Sequence, residues 1–355
     1  MRIPLLCLAA AICLSLAPVS IYSQDNSKET LFDKDDVLNV TIKGDLNPLL
    51  NDRGETPAYH NMTLVYTGTD NVEFNIPIKA KTRGHFRNQR ANCGYPPLLL
   101  NFEKSKLLDS TIFHKQDKLK LVMPCRSDDY VTREYMVYKL HNLITPKSFR
   151  ARLVKVTLED AKKGKKSSAF WGFFLEEEKQ VAKRNESVVV ERKGLSSTTT
   201  DADAYLTTMV FEFLIGNVDW SLPYLHNIKL IAKDSLAIPY PIAYDFDHAG
   251  LVDAPYATAP EQLDMTSVRE RRYRGVCMPD MASFAKVFEL FNKLKPDIYA
   301  LYSNSKILDP KYVKETLKYF DEFYSAINNQ KDFKYSFGYP CRSNTNVTVK
   351  GNDDN

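Results

Sequence analysis

The sequence predicts an α+β chain of two lobes, strand-rich in its first half and helical in its second. Three observations carry this. Apolar residues alternate in the first half, as at Ile76, Ile78 and Ala80 against Pro77, Lys79 and Lys81, the period of a half-buried strand. In the second half Leu206, Met209, Val210, Phe213 and Leu214 recur at helical spacing, giving one apolar face. Short loops then bring acidic and amide residues between elements in a set order: helix, Asp219, Asn227, strand, strand, Asp245.

Taken in order, 63–66, 74–82, 97–102 and 118–122 read as strands, with a polar, glycine-containing turn starting at Arg83. A helix over 134–144 follows, its broad face built from Tyr135, Val137, Tyr138, Leu140 and Leu143. Strands at 152–158 and 169–175 flank a basic turn at 162–166. Several N-cap candidates at 198–201 precede the apolar helix that ends at Ile215. A strand at 227–231 and an apolar stretch at 238–243 come next, then a loop-rich segment to Arg274. Two amphipathic helices, 281–301 and 310–328, close the chain. The expected organisation is a signal peptide at 1–23, a strand-rich lobe at 24–178, a helical lobe at 179–341 and a disordered polar tail at 342–355. No internal repeat is present.

A length of 355 residues with 44% hydrophobic and 26% charged residues fits an ordinary globular protein. A formal charge of +4 is small for this length and implies no nucleic-acid partner. The positive start at Arg2, the apolar run from Leu5 to Val19 and the small or polar residues after it form a secretory signal. Pro18 interrupts that run, and no later segment approaches the ~20 apolar residues of a membrane span. The chain is therefore expected to be secreted or periplasmic. Cys93, Cys125, Cys277 and Cys341 remain after cleavage, an even number that favours disulfides in an exported chain. Three pairings are possible; Cys93–Cys125 with Cys277–Cys341 is preferred, and the spacing is poor for zinc.

Asp245 and Asp247 follow an apolar strand, where hard oxygens can take up a divalent cation carrying phosphates. An Asx turn is the plainer reading of the same residues. Asp219, in a loop beside Trp220, is placed to orient or deprotonate an acceptor hydroxyl, and Asn227 to ligate the metal. Lys118 and Lys120 share a strand face ahead of the helix carrying Glu134. A strand Lys paired with a helix Glu anchors nucleotide phosphates in protein kinases, and Lys120 is favoured. Arg83 and Arg87 open a loop that could cover phosphates with guanidinium forks, or be a solvated basic turn. The patch Arg269, Arg271, Arg272 and Arg274 suits an acidic or phosphorylated acceptor, or is a solvated loop. This order of motifs and the split into strands then helices match an atypical protein-kinase-like two-lobed fold. The separation of eight between Asp219 and Asn227 departs from the five of common kinase catalytic loops.

The chain resembles the CotH-type secreted kinases, in an uncharacterised branch of exported bacterial proteins. The resemblance covers most of 75–280 and rests on Thr82-Arg83-Gly84, on 118–122, on 172–177, on 215–219 with His226-Asn227, and on Tyr244-Asp245-Phe246-Asp247. It implies ATP with Mg or Mn, and phosphoryl transfer to Ser or Thr of an exported protein. It also implies Asp219 as the catalytic residue, and Asn227 and Asp245, supported by Asp247, as metal ligands. His85-Phe86 stands where such sequences carry Asn-Ser after Arg-Gly, so the phosphate loop differs. Alternatives on the same residues are a non-catalytic protein or glycan binder, and a nucleotidyl or glycan phosphotransferase.

Overall fold

The computed structural model describes residues 28–68, 70–278 and 280–342. The expected signal peptide, and all but the first residue of the expected tail, lie outside them. The first half runs β1 (Leu38–Gly44), α1 (Leu46–Asn51), β2 (His60–Thr67), β3 (Glu73–Thr82), β4 (Leu98–Phe102), α2 (Lys106–Asp109), β5 (Lys118–Val122), α3 (Asp128–Ile144), β6 (Ala151–Asp160), β7 (Lys165–Lys166) and β8 (Phe170–Leu175). The second half runs α4 (Glu178–Arg184), β9 (Val188–Val189), α5 (Ala202–Ile215), β10 (Ile228–Ala232), β11 (Tyr240–Ala243), α6 (Ala285–Ser303), α7 (Pro310–Asn328), α8 (Gln330–Phe337) and α9 (Tyr339–Arg342).

Alternation in β3 works as the sequence requires: Ile76, Ile78, Ala80 and Thr82 point inward and are buried. β2 does the same with Met62, Leu64 and Tyr66. These strands do not form the open sheet of a kinase-like lobe. Neighbours pair antiparallel in the order β1-β2-β3-β4-β5-β8-β6, and β1 then pairs in parallel with β6, Leu38 opposite Val154 through Gly44 opposite Asp160. Seven strands of alternating direction can close only with one parallel pair, and β1 with β6 supplies it. The result is a closed barrel, with β7 a short hairpin on β6. A closed barrel is not the strand-rich lobe of a two-lobed kinase, so that fold assignment is corrected here. Closure also removes the free sheet edges that an open sheet would leave.

One apolar cluster fills the barrel, including Leu64, Ile78, Leu100, Phe113, Leu119, Val156 and Phe174. A larger one joins the outer face of β8 and β6 to α3, α5, α6 and α7, through Phe173, Tyr138, Phe211, Phe246, Phe291 and Phe320. The helix α3 therefore belongs structurally to the interface between barrel and helices. It begins earlier than its apolar face suggested because Ser127 caps it, accepting from the Asp129 amide, with Asp128 and Asp129 in the first turn.

Both disulfides form as the preferred pairing has them, Cys93–Cys125 and Cys277–Cys341, with Cα separations of 4.3 and 4.9 Å. Such bonds persist in oxidising compartments, extracellular or periplasmic. No helix among the described residues is long and apolar enough to cross a membrane.

Candidate functional site

A narrow cleft with a volume of about 80 Å³ opens between one end of the barrel and the helical half. Its walls include Arg83, Arg87, Glu134, Asp219, Asn227, Asp245 and Asp247. Strand register explains the meeting of two of them. Ile228 opposes Ala243 in the β10–β11 pair, so Asn227, just before β10, lies opposite Tyr244, whose amide donates to the Asn227 carbonyl at 3.0 Å. Asp245 follows at once. Both Asn227 and Asp245 hold left-handed backbone, φ 50° and 60°, a conformation that Asn and Asp tolerate better than most residues and that clusters at functional sites.

Asp219 reaches the cleft from the other side. Helix α5 stops at Gly216, whose φ of 66° makes it a left-handed C-cap. Alanine there would meet the Tyr319 hydroxyl and a strained φ together. Gly216→Ala is expected to lower unfolding stability by more than about 1 kcal/mol in urea titration. The loop beyond is closed by backbone hydrogen bonds between Ser221 and His226. Within it the Asp219 carboxylate is held at both oxygens, by His226 Nε2 at 3.0 Å and by the Asn227 amide at 3.1 Å. Burial works to raise its pKa, but His226, His248 and Arg274 outweigh that and keep it below the ordinary value. Arg274 also donates to the carbonyls of Val218 and Trp220 on either side, at 2.6 and 2.7 Å.

The remaining wall is α3. Glu134, Tyr138 and His141 stand on one helical face. The Tyr138 hydroxyl accepts from the Asp245 amide at 3.2 Å. The His141 ring stacks on Phe211 with centroids 4.3 Å apart and, edge-on, supports Phe246. Burial depresses its pKa to about 3, so the ring is neutral. Phe246 thus anchors the strand end while Asp245 and Asp247 turn to the cleft.

Glu134 does not find its partner in Lys120. Its carboxylate accepts from Arg87 at 3.0 Å, and Arg87 also lies 3.7 Å from Asp247 and donates to the Met123 carbonyl at 2.8 Å. Asp247 accepts in turn from Tyr256 at 3.1 Å. Burial raises the pKa of Glu134 against the pull of Arg87, with Asp247 and Asp245 adding to the rise. Burial and Asp247 push Asp245 up to about 6. Lys120 donates instead to the Tyr244 hydroxyl at 2.5 Å, with its ammonium 4.4 Å from the ring centroid. Arg83 faces the same hydroxyl and Asp245. Lys118, on the same strand face, is exposed, which separates it from the favoured Lys120. Burial, Arg83 and Lys229 lower the pKa of Lys120 to about 7.

The patch 269–274 is not a free basic surface. Arg269, Arg271, Arg272 and Arg274 each donate to a backbone carbonyl, those of Gly250, Leu214, Asp264 and Val218. Their role in this fold is to tie loops together. The sequence assigned no part to His248 or Tyr256; their rings meet Phe86 of the loop after β3, which lies 5.8 Å from His248 and 5.3 Å from Tyr256. His248 directly follows Asp247, the one signal that could have pointed to it.

Among the described residues no three His, Cys, Asp or Glu side chains form a ready metal cage. Asn227 and Asp245 could hold only a cation that takes one or two protein oxygens and completes its shell from elsewhere. The chain matches no protein-family model and no curated protein.

Proposed function

We propose that this cleft binds ATP through a divalent cation and transfers the γ-phosphoryl group to a Ser or Thr hydroxyl of an exported protein. The observation that supports this most directly is the mixed charge of the walls. Asp245, Asp247 and Asn227 offer hard oxygens, while the cationic Arg83 and Arg87 lie beside them. A metal–polyphosphate needs both. The segments on which the CotH resemblance rests also converge here, and it is the chemistry of that family that is proposed, on a barrel scaffold of a different kind.

When bound, the cation would neutralise charge on the β- and γ-phosphates, with Asn227 and Asp245 as its protein ligands and Asp247 in support. Arg83, Arg87 and Lys120 would hold phosphate oxygens, and Glu134 would fix the Arg87 fork. Asp219, kept ionised and oriented by His226 and Asn227, would accept the proton of the acceptor hydroxyl. That oxygen attacks the γ-phosphorus, the bridging P–O bond breaks and ADP leaves. A loose transition state needs orientation more than a strong base, which suits a carboxylate of low pKa.

The contact of Arg87 with Asp247 favours a second reading, in which the guanidinium supplies the positive charge there and the cleft binds without turnover. Incubating the mature chain with ATP and Mn, then weighing protein and nucleotide products, separates the readings. Phosphate gained by the protein or released with ADP supports transfer, gain of a nucleoside monophosphate supports nucleotidyl transfer, and intact ATP supports binding alone.

Lys120 gives a pH signature. In the free protein its lowered pKa leaves it largely neutral at pH 8, and stability rises with pH from about 7 to the unfolded value near 10.5. Phosphate oxygens beside it restore the charged form, so nucleotide binding at pH 8 is expected to take up a proton. Calorimetry in buffers of different ionisation enthalpy measures this, and the uptake should vanish in Lys120→Met.

A further inference from the structure

Beside the cleft, and sharing Arg83, Gly84 and His85 with it, runs a second groove of about 780 Å³. Its walls are the end of β3, the loop that follows it and the segment after α1. Those walls are braced: Arg53 donates to the carbonyls of Cys93 and Gly94 at 2.9 and 2.6 Å, and Cys93 is bonded to Cys125. Arg53, Lys81 and Arg83 line it against one acid, Glu55. Asn88 also lines it, and although this residue is only 6% exposed its Oδ1 has no hydrogen-bond partner. A buried carbonyl left so is costly unless a ligand donates to it. At the junction, Gly84 has φ 82° and open space where a Cβ would project.

We infer that this groove seats an acidic, extended peptide segment of the acceptor protein and leads its hydroxyl to Asp219, an inference that rests on the transfer reading above. Cationic lining selects carboxylates by complementarity, and the Asn88 carbonyl accepts from a backbone or side-chain N–H. None of the lining residues is Phe, Tyr or Trp, so the flat platform on which a sugar face would stack is lacking, and a peptide is the better occupant than an anionic glycan.

The test is fluorescence polarisation of a labelled short peptide, one Ser among glutamates, against the mature chain, with a lysine-flanked peptide and a sulfated oligosaccharide alongside. The acidic peptide should bind, the basic one should not, and Lys81→Glu should weaken binding at least about tenfold while Asn88→Leu weakens it too. Lys165→Glu, on the exposed β6–β7 hairpin, is the control for net charge and should leave binding unchanged. Equal binding of both peptides, indifference to Lys81→Glu, or Lys81-dependent binding of the oligosaccharide in place of the peptide overturns the inference. The thermal response of the same samples to ATP and Mn reads the nucleotide assignment separately, so a folded protein that responds to nucleotide but binds no peptide fails this inference alone.

Discussion

Asp219→Asn should keep nucleotide binding and lose turnover by a factor of about 10²–10⁴, the range for removing a positioned acid–base group. The substitution preserves shape, and the side chain can still meet His226 Nε2, 3.0 Å away in the native loop. What it removes is the negative charge that orients and receives the hydroxyl proton. The loop should hold its place, because Arg274 grips the carbonyls on both sides of residue 219 and Asn217 Oδ1 accepts from its amide at 3.0 Å. Rates of phosphate release under saturating ATP and Mn, with affinity measured separately, check this. An unchanged rate would remove Asp219 from the chemistry, whereas lost affinity would make it a binding residue.

Arg87→Ala should cost about 3–5 kcal/mol of unfolding stability, the penalty for stripping one partner from a buried ion pair. Arg87 is 9% exposed and Glu134 2%, so the pair is largely out of water. The Met123 carbonyl loses its donor as well. Adding Glu134→Gln to Arg87→Ala should recover part of the loss, since a neutral amide is less costly to leave unpaired than a carboxylate. Arg90→Ala, at an exposed position of the same loop, should stay within about 0.5 kcal/mol. Chemical denaturation of the four proteins measures all of this, and a loss under about 1 kcal/mol for Arg87→Ala would show that the pair does not hold the cleft together.

Short-range pattern carried the elements well. The strand 118–122 and the helix 310–328 have the bounds that periodicity assigns them, because each shows its apolar face within a few residues. The start of α3 was missed at Glu134, although Ser127-Asp128-Asp129 is a readable cap. The barrel was not legible. Its closing contact joins β1 to β6, more than a hundred residues apart, and alternation says which face of a strand is buried but not which strand lies beside it. The site divides in the same way. Asp219, Asn227 and Asp245, which the motif order groups, line one cleft because a helix end and one antiparallel pair bring them there. The Arg87–Glu134 pair, 47 residues apart in sequence, depends on how the loop after β3 folds over α3. No local pattern encodes that, so Lys120 stood in its place. The patch 269–274 failed for a related reason: sequence shows charge, but only packing shows which carbonyls the charge serves.

Thermal unfolding of the mature chain with ATP and Mn together, with each alone and with neither, tests the nucleotide site most directly, with Asp245→Ala in parallel. At about 100 times its dissociation constant a ligand stabilises the native state by roughly 2.7 kcal/mol, a rise of several degrees in Tm for a chain of this size. The account predicts that rise for ATP with Mn in the wild type and its loss in a folded Asp245→Ala. No rise in the folded wild type, or an equal rise in both proteins, would contradict it.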